Sequence, residues 1–202
     1  MNIFFDLDGT LIDSRKRLYF LFQHLVAESM FSFDEYWIFK RDKVSHREIL
    51  IHQFNYSEDK VKEFEENWMK RIELPEWLAL DSPFDGVFDF LNELKKVHKL
   101  FLVTARQSES IALKQVDEYG WMPIFEKILV TAQKQEKFDL IVNTVEVKEH
   151  DWFVGDTGKD IQTGKELGIN TAAVLSGFLS RKRLLEYAPD LIEVDVTKLK
   201  FT

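Results

Sequence analysis

The sequence predicts an α/β fold: a parallel sheet flanked by helices and interrupted by an α-helical insertion. Three observations lead there. Five short apolar segments, at residues 3–5, 100–103, 128–130, 152–154 and 171–174, have the length of buried strands. Helix-periodic stretches separate most of them. One long interval, from Arg15 to about Ser82, carries helical patterns and no convincing strand. Alternating strands and helices imply right-handed crossovers, so the strands run parallel and helices cover both faces of the sheet.

The first segment, Ile3, Phe4 and Phe5, runs into Asp6, Leu7, Asp8, Gly9, Thr10, Leu11, Ile12, Asp13 and Ser14. An apolar run that ends in acids and a glycine reads as a buried strand delivering carboxylates to a loop. Two such charges cost too much to bury for packing alone. A divalent cation is their natural partner, since hard oxygen ligands suit Mg²⁺.

The insertion follows. Leu18, Leu21, Phe22 and Leu25 share one helical face, as do Val61, Phe64, Trp68 and Ile72. Phe31, Phe33, Tyr36, Trp37 and Phe39 are expected to pack a small core of their own. Pro75 and Pro83 mark the end of the segment. Beyond it, Val87, Leu91, Leu94 and Val97 predict a helix opened by Pro83, Asp85 and Gly86. Ala112, Val116 and Tyr119 predict another, stopped by Gly120. Leu140, Val142 and Val145 suit a third. Ile161, Gly164 and Leu167 suit a fourth, ended by Gly168.

Composition narrows the function classes. At 202 residues, with 45% hydrophobic residues and 18 Phe, the chain has enough apolar surface for a real core. A net charge of −8 argues against a nucleic-acid partner. The absence of cysteine excludes disulfides and thiolate metal sites. No apolar run approaches the ~18 residues of a membrane span, so no membrane partner is expected. The first strand begins at residue 2 or 3, so no signal peptide is expected and a cytoplasmic protein is. Oligomeric state is not read from this sequence.

In an open parallel sheet, ligands bind beyond the C-terminal strand ends, where the strand order reverses. Polar residues gather at those ends here. Asp6 and Asp8 follow the first strand, and Thr104, Ala105 and Arg106 the second. Gly155, Asp156, Thr157, Gly158, Lys159 and Asp160 follow the fourth. Lys134 and Lys137 come between the third and the fourth. Adjacent strands would bring these side chains into one pocket.

The run from Asp6 to Ser14 resembles the first motif of the haloacid dehalogenase (HAD) superfamily, Asp-x-Asp-Gly-Thr-Leu-x-Asp-Ser, at every specified position. Thr104 falls where the family has Ser or Thr in its second motif. Gly155-Asp156 with Asp160 is similar to the fourth, Gly-Asp-x-x-x-Asp. The third motif, a lysine before a helix, fits Lys137 best, with Lys134 as rival; the Pro-rich turn common after that lysine is missing here. The resemblance implies a Rossmann-like catalytic core over residues 1–14 and 83–202, with an inserted helical cap of the C1 type, phosphoglycolate-phosphatase-like, over 15–82.

It also implies roles. Asp6 would be the nucleophile of an aspartyl-phosphate mechanism, and Asp8 the acid and base. Mg²⁺ would be held by Asp6, Asp156 and the Asp8 backbone carbonyl. Thr104 would hydrogen-bond a phosphoryl oxygen, and Lys137 would offset negative charge and hold Asp6. Asp160 would orient the lysine or a metal-bound water. Thr104, Ala105 and Arg106 are expected to bind substrate, although Arg106 could instead cap a helix start. The cap carries Lys40, Arg41, Lys43, His46 and Arg47, a run that ordinarily forms a solvated face; Arg47 is the first candidate there for contacting substrate.

The expected activity is Mg²⁺-dependent hydrolysis of a small phosphorylated metabolite. The second acid, Asp8, disfavours dehalogenase and phosphonoacetaldehyde hydrolase chemistries, which lack it. A phosphomutase of the same superfamily and a non-catalytic phosphate-ligand-binding protein are the alternatives. A phosphorylated receiver domain is disfavoured because no acid follows the third strand, which ends in Thr131 and Ala132.

Overall fold

The computed structural model of the chain describes residues 1–201. In chain order the elements are β1 (Asn2–Phe5), β2 (Ile12–Asp13), α1 (Arg15–Leu25), α2 (Phe33–Arg41), α3 (His46–Phe54), α4 (Glu58–Arg71) and α5 (Pro75–Leu78). There follow β3 (Ser82–Pro83), α6 (Val87–Leu94), β4 (Lys99–Thr104), α7 (Glu109–Glu118), β5 (Lys127–Val130), α8 (Lys137–Val142) and β6 (Trp152–Gly155). The chain closes with α9 (Gly158–Glu166), β7 (Asn170–Val174), α10 (Arg181–Leu185), β8 (Leu191–Glu193) and a 3₁₀ turn at Val196–Lys198.

Six strands form one parallel sheet in the order β5-β4-β1-β6-β7-β8. The chain leaves β1 toward β4 and β5, then returns to its other side at β6, so the order reverses at β1. All five expected strands are present. Strand β8 and helix α10 add to them.

Period-2 alternation divides the core between the two faces of the sheet. Ile3, Phe5, Leu100, Leu102 and Val154 pack with Val87 and Leu91 of α6 and Val116 of α7. Phe4, Phe101, Val103 and Phe153 pack on the opposite face with Ile141 of α8. Two helical stripes are shorter than expected. Helix α6 stops at Leu94, and Val97 lies in the following turn, 72% exposed. Val145 lies beyond the end of α8, although it still packs against the core.

Helices α1 to α5 fill the long strand-free interval. Two of them start at capping boxes, Ser32 with Glu35 and Ser45 with Glu48, which satisfy orphan amides at the first turn. Their apolar faces form a separate core of Phe22, Val26, Tyr36, Trp37, Ile49, Leu50, Val61 and Phe64. The aromatic residues from Phe31 to Phe39 join it as expected. His46 is held inside by a 2.8 Å hydrogen bond with the Tyr36 hydroxyl and by the Trp68 ring, 4.3 Å away between centroids. Where the helical segment leaves and rejoins the sheet, β2 and β3 pair antiparallel, Ile12 opposite Pro83 and Asp13 opposite Ser82. The two connections therefore run side by side. No described helix is long and apolar enough to cross a membrane.

Candidate active site

The reversal at β1 places the ends of β1, β4 and β6 side by side, and their polar residues line one cavity of about 880 Å³. Asp6 lies immediately after β1 and is buried. Lys137, the first residue of α8, donates to Asp6 Oδ1 at 2.5 Å and to Asp160 Oδ1 at 2.7 Å. The other oxygen of Asp160 accepts from the Thr157 amide at 3.1 Å and the Thr157 hydroxyl at 2.5 Å, closing a capping box at the start of α9. Asp160 is thus fixed at both oxygens and aims the lysine at Asp6.

Asp156, just past β6, is fully buried. Its Oδ2 accepts from the Phe178 amide at 2.6 Å, and its Oδ1 from the Thr10 hydroxyl at 3.4 Å. Two glycines leave room for it. A Cβ on Gly9 would come within 2.5 Å of Asp156 Oδ2, and one on Gly177 within 2.0 Å. Gly9 also has a φ of +83°, which side chains rarely adopt.

One carboxylate oxygen from each of Asp6, Asp156 and Asp160 lies within 4.8 Å of the others. Burial pushes the Asp6 carboxyl up to about 7 against the pull of Lys137, with Asp160 and Asp8 raising it further. Burial, then Asp6 and Asp160, push Asp156 well above the usual carboxylate range. Burial alone would lower Lys137, but Asp160 and Asp6 outweigh it and keep the ammonium protonated. One lysine falls short of balancing the negative charge of three buried acids when all are ionised. The oxygen donors and that charge fit a hard divalent cation.

Asp8 faces a second cluster. Arg106 grips its carboxylate with Nε at 2.6 Å and Nη2 at 2.8 Å, and Arg17 of α1 donates to the same group. Beneath them Asp81, before β3, meets Arg17 Nε at 3.0 Å and Arg106 Nη2 at 3.1 Å. Burial would raise Asp8, but Arg106 and Arg17 outweigh it and hold it well below the usual range. The segment after α4 reaches the same wall: Glu73 accepts from the amides of Gln107 at 2.7 Å and Ser108 at 3.1 Å.

The cavity brings together Asp6, Asp8, Thr104, Ala105, Arg106, Lys137 and Asp156. Thr104 is buried, and Ala105 is exposed at the rim. Lys134 also lines the cavity, yet it is exposed and Lys137 alone pairs with Asp6. Arg47 is a correction. It does not line the cavity and pairs with Glu58 on the outer face of the helical segment, with both side chains exposed. Helix α3 turns its buried residues Ile49 and Leu50 into the core of the helical segment, which leaves Arg47 outside. Arg17, Glu73 and Asp81 were not anticipated. Arg17 alone carried a signal, because helical spacing puts it on the face of Leu18, Leu21 and Leu25, where a charge is out of place.

A parallel α/β sheet with acids and a lysine converging at its switch point defines an open-sheet enzyme. Comparison with known proteins gives the family. The sequence profile of the haloacid dehalogenase-like hydrolases matches residues 3–174. A phosphoglycolate phosphatase of Aquifex aeolicus is 26% identical over 184 residues, 88% of this chain and 85% of that protein. A pyrophosphatase, PpaX, of Oceanobacillus iheyensis is 26% identical over 203 residues, 96% of this chain and 92% of that one. The structure of a haloacid dehalogenase-like hydrolase from Streptococcus pneumoniae superposes with a TM-score of 0.75 at 25% identity, covering 95% of this chain and 92% of that one. The chain belongs to the haloacid dehalogenase-like hydrolases.

Proposed function

We propose that this protein is a Mg²⁺-dependent phosphatase that hydrolyses a small phosphorylated metabolite through an aspartyl-phosphate on Asp6. The observation that carries this reading is the pairing of Asp6 with Lys137 at the end of β1, beside Asp156 and Asp160. A phosphate monoester dianion repels an anionic nucleophile, so the site must cancel charge before attack. Lys137 supplies one positive charge. Asp6, Asp156 and the Asp8 backbone carbonyl would hold Mg²⁺, which when bound offsets phosphoryl charge.

An Asp6 oxygen attacks phosphorus, and the bond to the leaving oxygen breaks. Asp8 delivers a proton to that oxygen, then takes one from the water that releases phosphate and restores Asp6. The free enzyme holds Asp8 ionised between two guanidiniums, which suits the second step. The first step requires Asp8 to take up a proton from solvent as substrate binds and the guanidiniums loosen their hold; the second step returns Asp8 to that protonated form, and the proton is released when phosphate leaves. Thr104 would bind a phosphoryl oxygen at the cavity floor. Residues 15–82 act as a cap over a core of 1–14 and 83–202, hinged where β2 and β3 pair.

The test is release of inorganic phosphate from a broad panel of phosphorylated metabolites, with Mg²⁺ and with excess chelator. Hydrolysis that needs Mg²⁺ supports the reading. Full activity in chelator, or no hydrolysis across the panel, contradicts it. Transfer of the phosphoryl group within a sugar phosphate, without release, would identify a mutase instead.

A further inference from the structure

We propose that Trp68 is the specificity residue for the leaving group, and that it selects phosphomonoesters whose leaving group carries an uncharged apolar ring. The proposal rests on the phosphatase reading and adds the substrate class. The leaving oxygen must come to the Asp8 carboxyl to be protonated, so the body attached to it lies along the cavity wall beside Asp8. The helical segment builds that wall. Arg17 of α1 donates to Asp8 and, from Nη1 at 3.2 Å, to the Ile72 carbonyl just past α4. The end of α4 is thereby held beside Asp8. Leu18 follows Arg17, and Trp68 stands about one helical turn before Ile72; both line the cavity together with Met69.

Trp68 is a firm platform. It is half-buried, and the Phe64 ring stacks on it at 5.7 Å between centroids. The His46 ring lies 4.3 Å away and is itself held by the Tyr36 hydroxyl. A ring docked on an indole fixed in this way gains apolar burial without ordering a loose side chain. Met69, 39% exposed, and the half-buried Leu18 extend the apolar surface. The same wall offers a charged leaving group no free partner. Within residues 15–82 only Arg17 and Glu73 bring charge to the cavity. Arg17 is committed to Asp8, Asp81 and the Ile72 carbonyl, and Glu73 to the amides of Gln107 and Ser108. Arg106 is committed to Asp8 and Asp81. The lysines that reach the cavity, Lys134, Lys137 and Lys159, come from α8, α9 and the loop before α8. An anionic group against the Trp68 wall would lose hydration and gain no ion pair.

The test compares phenethyl, cyclohexylmethyl, ethyl and carboxyethyl phosphates, all esters of primary alcohols, assayed with Mg²⁺. Wild type should favour the two ring esters over ethyl phosphate in kcat/KM by about 10- to 100-fold, the worth of burying one ring. The carboxylate should bring no gain over ethyl. Trp68→Ala should cut the ring preference to within about threefold, and Trp68→Phe should keep most of it. Met69→Lys, at a partly exposed position, should shift the ratio toward the carboxyethyl ester by about threefold or more. A lead of phenethyl over cyclohexylmethyl supports stacking on the indole, and parity of the two supports apolar burial against it. Ring esters no better than ethyl phosphate, or a preference for the carboxyethyl ester, would overturn the subsite and leave the phosphatase reading standing. So would an equal loss on all the esters in Trp68→Ala or, should that variant not fold, an unchanged ratio in Met69→Lys. Hydrolysis of the metabolite panel but of none of these esters would overturn it too. No phosphate release from either set fails the phosphatase reading and this inference with it.

Discussion

Asp156 is tightly confined, and the confinement was written into the sequence as Gly9. The chain turns there at a φ of +83°, and no space exists for a Cβ beside Asp156 Oδ2. Gly9→Ala should therefore lower stability by about 1–3 kcal/mol through backbone strain, a fall of about 2–10 °C in Tm. It should also displace Asp156 and cost most of the activity. A thermal melt with a phosphatase assay checks both, and a variant with wild-type Tm and rate would show that Gly9 is not required. Asp6, Asp8, Asp156, Asp160 and Lys137 were legible because each stands at a fixed offset from a strand or at a helix start. The arginine clamp on Asp8 was not. Arg106 could be seen near the site, but its partners Arg17 and Asp81 come from a helix and a linker that meet it only in three dimensions. Arg47 misled for the converse reason: a cation in the helical segment says nothing about which way its helix is rolled.

The strands of the sheet were legible because buried parallel strands are continuous apolar runs. Strand β8 was missed because it is three half-buried residues at the sheet edge, with no such run. Helix α10 spans only five residues and buries only Leu184. The helical segment meets the rest of the chain on two sides. Near α2, Arg41 donates to the Leu175 carbonyl at 3.1 Å, Asp42 pairs with Arg183 at 2.9 Å, and Trp37 meets the Phe178 ring edge-on at 5.5 Å. Beyond α4, Glu73 holds the amides at the start of α7. Removing that second clasp with Glu73→Ala should leave the fold intact. It should speed hydrogen exchange at Gln107 and Ser108 by about tenfold or more, since each bond to a charged acceptor is worth about 1.5–3 kcal/mol. Unchanged protection at those two amides would mean that Glu73 does not fasten the helical segment to the start of α7.

At the scale of the whole molecule, the buried acids tie stability to pH and metal. The Asp6 carboxyl is raised to about 7, so the fold favours its protonated form. Stability from this group is fully present below its ordinary value of 3.8 and is lost as pH rises through about 7. Metal-free wild type should thus lose more Tm between pH 5.5 and pH 8 than Asp6→Asn, which lacks this group. Mg²⁺ needs the deprotonated acids, so its stabilisation should run the other way. Added Mg²⁺ should raise Tm more at pH 8 than at pH 5.5; an equal shift, or a larger one at pH 5.5, would argue that the cation does not bind these carboxylates.

The proposed mechanism requires Asp6 to become phosphorylated during turnover. The direct measurement is rapid acid quench of the enzyme with a hydrolysed substrate and Mg²⁺, followed by mass mapping of the phosphorylated peptide, with Asp6→Asn in parallel. A transient phosphoryl group on Asp6 is expected, with Mg²⁺ needed to form it and with neither adduct nor turnover in Asp6→Asn. Wild-type turnover by Asp6→Asn, or a phosphoryl group on another residue, would contradict it.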